Sequence, residues 1–180
     1  MKPTRKFKVP TEERLIRQAV YYLERYATSV ENLRRVLERK VARAARANDL
    51  NEQDFSELID SVIAKCERSG MVDDRRFAET KVASQRRRGY SSRQITAKLQ
   101  SRGVKADVVE DVLRSHELDD AQAAIVMARR KRIGPWRTRG NRSDFRDKDM
   151  AALCRAGFSF ENARRIIDGD VEDLLAELEQ

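Results

Sequence analysis

Apolar residues along this chain recur three or four positions apart, which is the spacing of one face of an α-helix. The first such stripe is formed by Leu15, Ala19, Tyr22, Leu23 and Tyr26. Two further stripes are Leu33, Val36, Leu37, Val41 and Ala44, and then Phe55, Leu58, Ile59, Val62 and Ile63. Strand-like alternation of apolar and polar residues is absent from the sequence. The pattern therefore predicts an all-α protein.

Short polar motifs and isolated glycines mark where these helices begin and end. Ser91 with Gln94 has the spacing of a capping box at a helix start, and Thr28 with Glu31 fits a capping box within one residue of the start of the second helix. Asp73 or Asp74 is suited to cap the helix that carries Phe77, because aspartate favours the N-cap position. The expected helix stops are at Gly70, Gly89, Gly103 and Gly157.

Part of this pattern repeats along the chain. Leu99 and Gly103 align with Leu153 and Gly157, and both pairs are followed by a second amphipathic helix. Chance similarity between amphipathic helices is the alternative. The repeat predicts three tandem three-helix repeats that stack into an elongated, curved body. The expected divisions are a basic tail at 1–10, repeats at 11–69, 70–117 and 118–169, a basic insert at 133–149 in the third repeat, and an acidic helix at 170–180.

The charge is high and unevenly placed. Charged residues make up 38% of the 180 residues, and the net charge is +8. The segment between Ala121 and Ser143 holds seven basic residues and no acid. Those basic residues are Arg129, Arg130, Lys131, Arg132, Arg137, Arg139 and Arg142. A block of one sign favours a polyanionic partner such as nucleic acid, and a solvated surface run is the alternative.

Two further features are candidates for the same partner. Arg86, Arg87 and Arg88 come just before Gly89. They fit equally well as partner contacts or as cations stabilising the C-terminal end of a helix. Trp136 lies inside the basic segment, where it could stack on a base or pack within a loop.

Motifs for catalysis, metals or membranes are missing from the sequence. Its seven glycines are isolated, so there is no glycine-rich phosphate loop. The single histidine, His116, has no recognisable catalytic partner, and Cys66 and Cys154 are expected to be reduced, buried thiols. No apolar run approaches the length of a membrane span. The sequence predicts a cytoplasmic protein that is not an enzyme and has no cofactor and no metal.

The segment from Gly70 to Gly103 resembles the central part of the RecX family of bacterial recombinase regulators. That family shows a glycine, two apolar residues, two aspartates and a Phe-Ala pair, followed by a helix pair with spaced glycines. The matching positions are Gly70, Asp73, Asp74, Phe77, Ala78, Gly89, Ile95, Leu99 and Gly103. Weaker matches extend the resemblance over most of residues 15–168. The basic insert and the basic tail depart from the family pattern.

The resemblance implies three tandem three-helix repeats, and it implies a partner. Family members bind the filament of the RecA recombinase, lie in its groove and usually inhibit strand exchange, ATP hydrolysis and coprotease activity. Several also bind DNA directly, in single- or double-stranded form. The chain is accordingly expected to be a monomeric regulator of a RecA–DNA filament. Two alternatives are a free-standing helical DNA-binding protein without a recombinase partner, and a helical adaptor for an acidic protein.

Overall fold

The computed structural model describes residues 7–179, and within them it contains ten α-helices and no strand. The all-α prediction is therefore confirmed. The helices are α1 (Glu12–Leu23), α2 (Val30–Arg46), α3 (Ser56–Arg68), α4 (Asp74–Arg86), α5 (Ser92–Gln100), α6 (Ala106–Ser115), α7 (Asp120–Lys131), α8 (Arg142–Arg155), α9 (Phe160–Asp168) and α10 (Val171–Ala176). Two short 3₁₀ turns cover Glu52–Phe55 and Gly134–Trp136.

The chain divides into two compact units. The first contains the described residues up to Phe77 together with Arg102–Val104. Its core lies where α1, α2 and α3 pack together, and it includes Leu15, Leu37 and Val62. The predicted apolar stripes supply most of this core. Tyr26 is the exception: α1 ends at Leu23, and Tyr26 is 55% exposed.

The second unit contains Ala78–Ser101 together with the described residues from Lys105 onward. Its largest apolar cluster is formed by α7, α8, α9 and α10 around Ile125, Leu153 and Ile166. The basic insert was predicted at 133–149. In the structure the connection is shorter, because α8 begins at Arg142. The acidic end of the chain contains α10, whose first turn is capped by Asp170.

The same helix-end contact occurs once in each unit. Ser29 caps α2, and its hydroxyl also donates to the carbonyl of Arg102. Ser91 caps α5 as predicted, and its hydroxyl donates to the carbonyl of Ala156. The cap of α2 is Ser29, one residue after Thr28 and within the one-residue margin of the prediction.

An aspartate completes each contact. Asp74 accepts a hydrogen bond from the backbone N–H of Val30 at 2.8 Å, and Asp120 accepts one from Ser92 at 2.7 Å. These amides belong to first turns, where no intrahelical acceptor exists. The paired arrangement fixes the starts of α2 and α5 against residues that are distant in sequence.

The family-like residues between Gly70 and Gly103 have local structural roles. Phe77, Ala78, Ile95 and Leu99 are buried, and the carboxylate of Asp73 accepts the backbone N–H groups of Arg75 and Arg76. Gly70, Gly89 and Gly103 adopt positive φ angles at the ends of α3, α4 and α5.

Candidate nucleic-acid interface

The end of α7 presents the first part of the basic segment. A capping box of Asp119 and Gln122 begins this helix, and Arg132 ends it with a left-handed φ of 52°. Arg129, Arg130, Lys131 and Arg132 are all exposed and form no ion pair with the described residues. The C-terminal end of a helix favours positive charge. Four cations therefore remain available to a partner at this helix end.

The second part of the basic segment has internal partners instead. The carboxylate of Asp149 is 2% exposed and accepts the backbone N–H of Gly134 at 2.8 Å. It also accepts two hydrogen bonds from the guanidinium of Arg137. Because a buried carboxylate needs such compensation, Arg137 neutralises Asp149 and holds the turn after α7. The prediction that Arg137 contacts a partner is corrected on this ground.

Arg142 and Trp136 also have partners within the protein. Arg142 donates to the carbonyls of Ile167 at 2.6 Å and Gly169 at 2.7 Å, which are C-terminal groups of α9. Trp136 is half-buried and packs against the apolar cluster of the second unit, which is the packing alternative considered for it. Arg139 is exposed, and only its backbone carbonyl receives a hydrogen bond, from Arg137.

The three successive arginines at the end of α4 also fall into two groups, one with internal partners and one exposed. Arg86 is 2% exposed, pairs with Asp120 and donates to the hydroxyl of Ser92 at 2.6 Å. It is therefore a structural residue, and its assignment to a binding surface is corrected. Arg87 and Arg88 are exposed.

A glycine brings the α4–α5 turn against α7. Gly89 has a φ of 71°, and a Cβ atom built on it would lie 2.5 Å from the backbone nitrogen of Met127 and 2.9 Å from the carbonyl oxygen of Ala123. No side chain fits in this space. The turn can therefore pack directly on the α7 backbone one turn before Arg130.

This close approach assembles a cationic cluster around Tyr90. The ammonium of Lys98 lies 3.6 Å from the centre of the Tyr90 ring, and the guanidinium carbons of Arg88 and Arg130 lie 5.5 and 5.9 Å from it. The four residues come from the α4–α5 turn, α5 and α7. We call this group, Arg88, Tyr90, Lys98 and Arg130, the Tyr90 cluster.

The electrostatics of the Tyr90 cluster act on the phenol group. Hydrogen bonding from Lys98 and the charge of Lys98 lower the pKa of Tyr90, and the charges of Arg88 and Arg130 lower it further. Cations held over an aromatic face are stabilised by the ring. The arrangement offers three positive charges beside one aromatic surface, which suits a phosphate next to a stacked base.

Sequence reasoning found Arg88 and Arg130 but missed Tyr90 and Lys98. Tyr90 directly follows the Arg86–Gly89 run, which was a usable signal. Lys98 lies on an ordinary amphipathic helix of mixed charge, and nothing local distinguishes it. Of the other predicted cations, Arg87, Arg129, Lys131 and Arg132 adjoin the cluster along the chain.

Residues 7–179 contain no group of three or more His, Cys, Asp or Glu side chains placed to hold a metal ion. Within the same residues, no helix is both long enough and apolar enough to cross a bilayer.

Comparisons with known proteins agree with the fold. Residues 73–113 match the model of the second three-helix domain of RecX. The chain is 40% identical over 155 residues to the regulatory protein RecX of Myxococcus xanthus, covering 84% of this chain and 83% of that protein. It is 28% identical over 162 residues to the regulatory protein RecX of Agrobacterium fabrum, covering 88% and 86%.

A solved structure shares this architecture. The crystal structure of RecX from Lactobacillus salivarius superposes with a TM-score of 0.63 at 17% identity, covering 93% of this chain and 96% of that one. The fold and the relatives together define a class of helical regulatory proteins built from three-helix domains. The chain belongs to the RecX family.

Proposed function

We propose that this protein regulates a RecA recombinase by binding in the groove of the RecA–DNA filament. It lowers ATP turnover and strand exchange there, acts without catalysing a reaction itself, and works as a cytoplasmic monomer. Family membership supports the regulatory role. The exposed cations support contact with the DNA that such a groove contains.

The Tyr90 cluster is the observation that carries the proposal. Three of its residues, Arg88, Tyr90 and Lys98, lie inside the segment that matches the family's second three-helix domain. Its cations have no acidic partner among the described residues. Unpaired cations that converge on one point release counterions when they meet phosphate, which favours binding to nucleic acid.

The proposed mechanism is occupancy of the groove. Phosphates of the filament's DNA bind to the Tyr90 cluster and to the adjoining cations at the end of α7. A protein held in this way competes with the incoming second strand. Contacts with neighbouring recombinase subunits then restrain the motions that these subunits need for turnover.

The exposed cations would also suffice for a free-standing DNA-binding protein. The two functions differ in their dependence on the recombinase. A plain DNA-binding protein acts only by covering DNA, and assembled filaments should resist it. A groove-binding regulator should act on filaments that are already assembled.

Recombinase ATP hydrolysis on single-stranded DNA tests the proposal. The wild-type protein should lower the rate, and the double variant Lys98→Glu with Arg130→Glu should lose most of this effect. The matched control is Arg39→Glu with Arg68→Glu, because both arginines are exposed, lie outside the Tyr90 cluster and give the same change in charge. Equal inhibition by both double variants would contradict a role for the cluster.

A further inference from the structure

The first unit contains a cationic cleft of about 650 Å³ that no part of the function proposed above uses. The start of the described chain, α1 and α2 form its walls. Five cations line it and no acid does: Lys8, Arg14, Arg17, Lys40 and Arg43. We call this group of residues, with Phe7, Gln18 and Tyr21, the α1–α2 cleft.

Hydrogen bonds hold the wall formed by the N-terminal segment. The side-chain amide of Asn48 donates to the carbonyls of Phe7 at 3.0 Å and Ala44 at 2.7 Å. The guanidinium of Arg14 donates to the carbonyl of Val9 at 2.6 Å. Pro10 is buried. Lys8 is therefore carried by a segment that is anchored to α1 and to the residues that directly follow α2.

The charge in the cleft is not compensated within the protein. Arg14 and Arg17 share one face of α1, and Lys40 and Arg43 share one face of α2, because each pair is three residues apart. Like charges at this spacing are mildly destabilising. None of the five cations forms an ion pair within residues 7–179. A bound polyanion would remove the repulsion.

Aromatic and amide groups accompany these cations. Tyr21 is 58% exposed and Phe7 is 47% exposed, so both rings are accessible beside the cleft. The guanidinium of Arg25 lies 3.6 Å from the centre of the Tyr21 ring. The side-chain oxygen of Gln18 is buried without a hydrogen-bond partner among the described residues. A buried acceptor of this kind is normally satisfied by a donor.

We propose that the α1–α2 cleft binds a single-stranded segment of nucleic acid. The phosphates bind to the cations of the two helices, and an exposed ring, that of Tyr21 or Phe7, stacks on a base. An acidic protein segment would satisfy the cations but has no bases to stack on the rings, so nucleic acid accounts for more of the cleft.

This inference goes beyond the function proposed above, because it adds a binding site in the other compact unit. It also stands if the recombinase partner is wrong, since only nucleic acid is required. The probe is a labelled single-stranded homopolymeric oligonucleotide without recombinase, and binding to the full chain is followed by fluorescence anisotropy over a range of salt concentrations.

Two variants of the cleft give the decisive measurements. Lys40→Glu with Arg43→Glu should weaken binding at least tenfold. It should also reduce the slope of log affinity against log salt by about 0.7 for each phosphate that the variant no longer neutralises. Tyr21→Ala should weaken binding by roughly fivefold or more without changing that slope, because stacking carries no charge. Arg39→Glu with Arg68→Glu is the control of equal charge, and circular dichroism checks that each variant folds.

The outcomes separate this inference from the function proposed above. If both cleft variants bind like the control while Lys98→Glu with Arg130→Glu binds weakly, the cleft is a solvated surface and the inference is wrong. If Tyr21→Ala binds like the wild type and polyglutamate competes as well as the oligonucleotide, the cleft accepts an acidic protein segment and the inference is again wrong. Loss of binding in the cleft variants alone supports the inference and contradicts the role given to the Tyr90 cluster.

Discussion

The guanidinium of Arg86 forms an ion pair with the carboxylate of Asp120, and only 2% of the Arg86 side chain is exposed. The same Asp120 oxygen accepts the backbone N–H of Ser92, so one carboxylate joins α4, α5 and α7. The pair thereby fixes the three elements that carry the Tyr90 cluster. Its position explains why one of three successive arginines is structural and its neighbours are not.

We expect Arg86→Ala to destabilise the protein by about 3 kcal/mol, since removing one partner leaves a carboxylate in a partly buried site. Urea unfolding measures this loss. Arg87→Ala is the matched control, because its side chain is exposed, and it should change stability by less than about 0.5 kcal/mol. Similar unfolding midpoints for the two variants would show that the pair contributes little.

We expect Gly89→Ala to lower the free energy of unfolding more than Gly70→Ala does, although both glycines have left-handed φ angles. Gly70 and Gly89 have nearly equal φ angles of 68° and 71°, but a Cβ at Gly70 meets nothing within 4 Å, whereas one at Gly89 would collide with the Met127 backbone. Gly70→Ala should therefore lower the free energy of unfolding by only about 1–2 kcal/mol, which is the cost of holding a residue with a Cβ in the left-handed region. The free energies of unfolding of the two variants, measured side by side, isolate the cost of the collision. Equal losses would mean that the turn does not press on α7.

Much of the fold could be predicted from sequence signals that involve only neighbouring residues. Ser91 and the glycine stops were identified because a cap or a left-handed residue depends on neighbours within four positions. The role of Asp149 was not found, because its partner Arg137 is twelve residues away and a buried carboxylate has no distinctive sequence pattern. Tyr90 and Lys98 were missed for a similar reason: their grouping with Arg130 depends on how closely the turn at Gly89 packs on α7. The division of the chain into three repeats stays a prediction.

The N-terminal tail at 1–10 lies partly outside the described residues. Residues 7–10 carry Lys8 into the α1–α2 cleft, whereas Lys2, Arg5 and Lys6 fall in the part that the structure does not describe.

The pKa of the Tyr90 phenol should depend on the cations around it, above all on Lys98. Lys98→Met should raise the pKa of Tyr90, because Lys98 is the largest cause of its lowering. NMR titration of ring-labelled tyrosine measures this, with Lys105→Met as the control. Binding of an oligonucleotide to the wild-type protein should also raise this pKa, since phosphate offsets the cationic field. A pKa that responds to neither change would contradict the geometry of the Tyr90 cluster.

The lowered pKa of Tyr90 also determines the sign of its effect on stability. The fold favours the phenolate, so stabilisation from this group grows as the pH rises through the folded-state pKa and is complete only above the unfolded-state value of about 10. It is lost as the pH falls through the folded-state pKa. Ionisation of Tyr90 therefore contributes nothing at neutral pH, and the stability difference between the wild type and Tyr90→Phe should grow as the solution becomes alkaline.

Reversing the four exposed cations at the end of α7 should weaken DNA binding strongly. The variant carries glutamate at Arg129, Arg130, Lys131 and Arg132, none of which is buried, so helical circular dichroism should be unchanged. Binding of the wild type to bare DNA should fall steeply with salt as counterions are released, and the variant should show a smaller salt dependence. Unchanged affinity and slope in the variant would show that this run is only a solvated surface.

The central claim is that the protein recognises a recombinase filament and not DNA alone. The most direct measurement compares its affinity for preassembled RecA filaments on single-stranded DNA with its affinity for the same DNA without recombinase. We expect tighter binding to the filament, because protein contacts add to the phosphate contacts made by the Tyr90 cluster and α7. Affinity for bare DNA equal to or above that for the filament would contradict the claim and identify a free-standing DNA-binding protein.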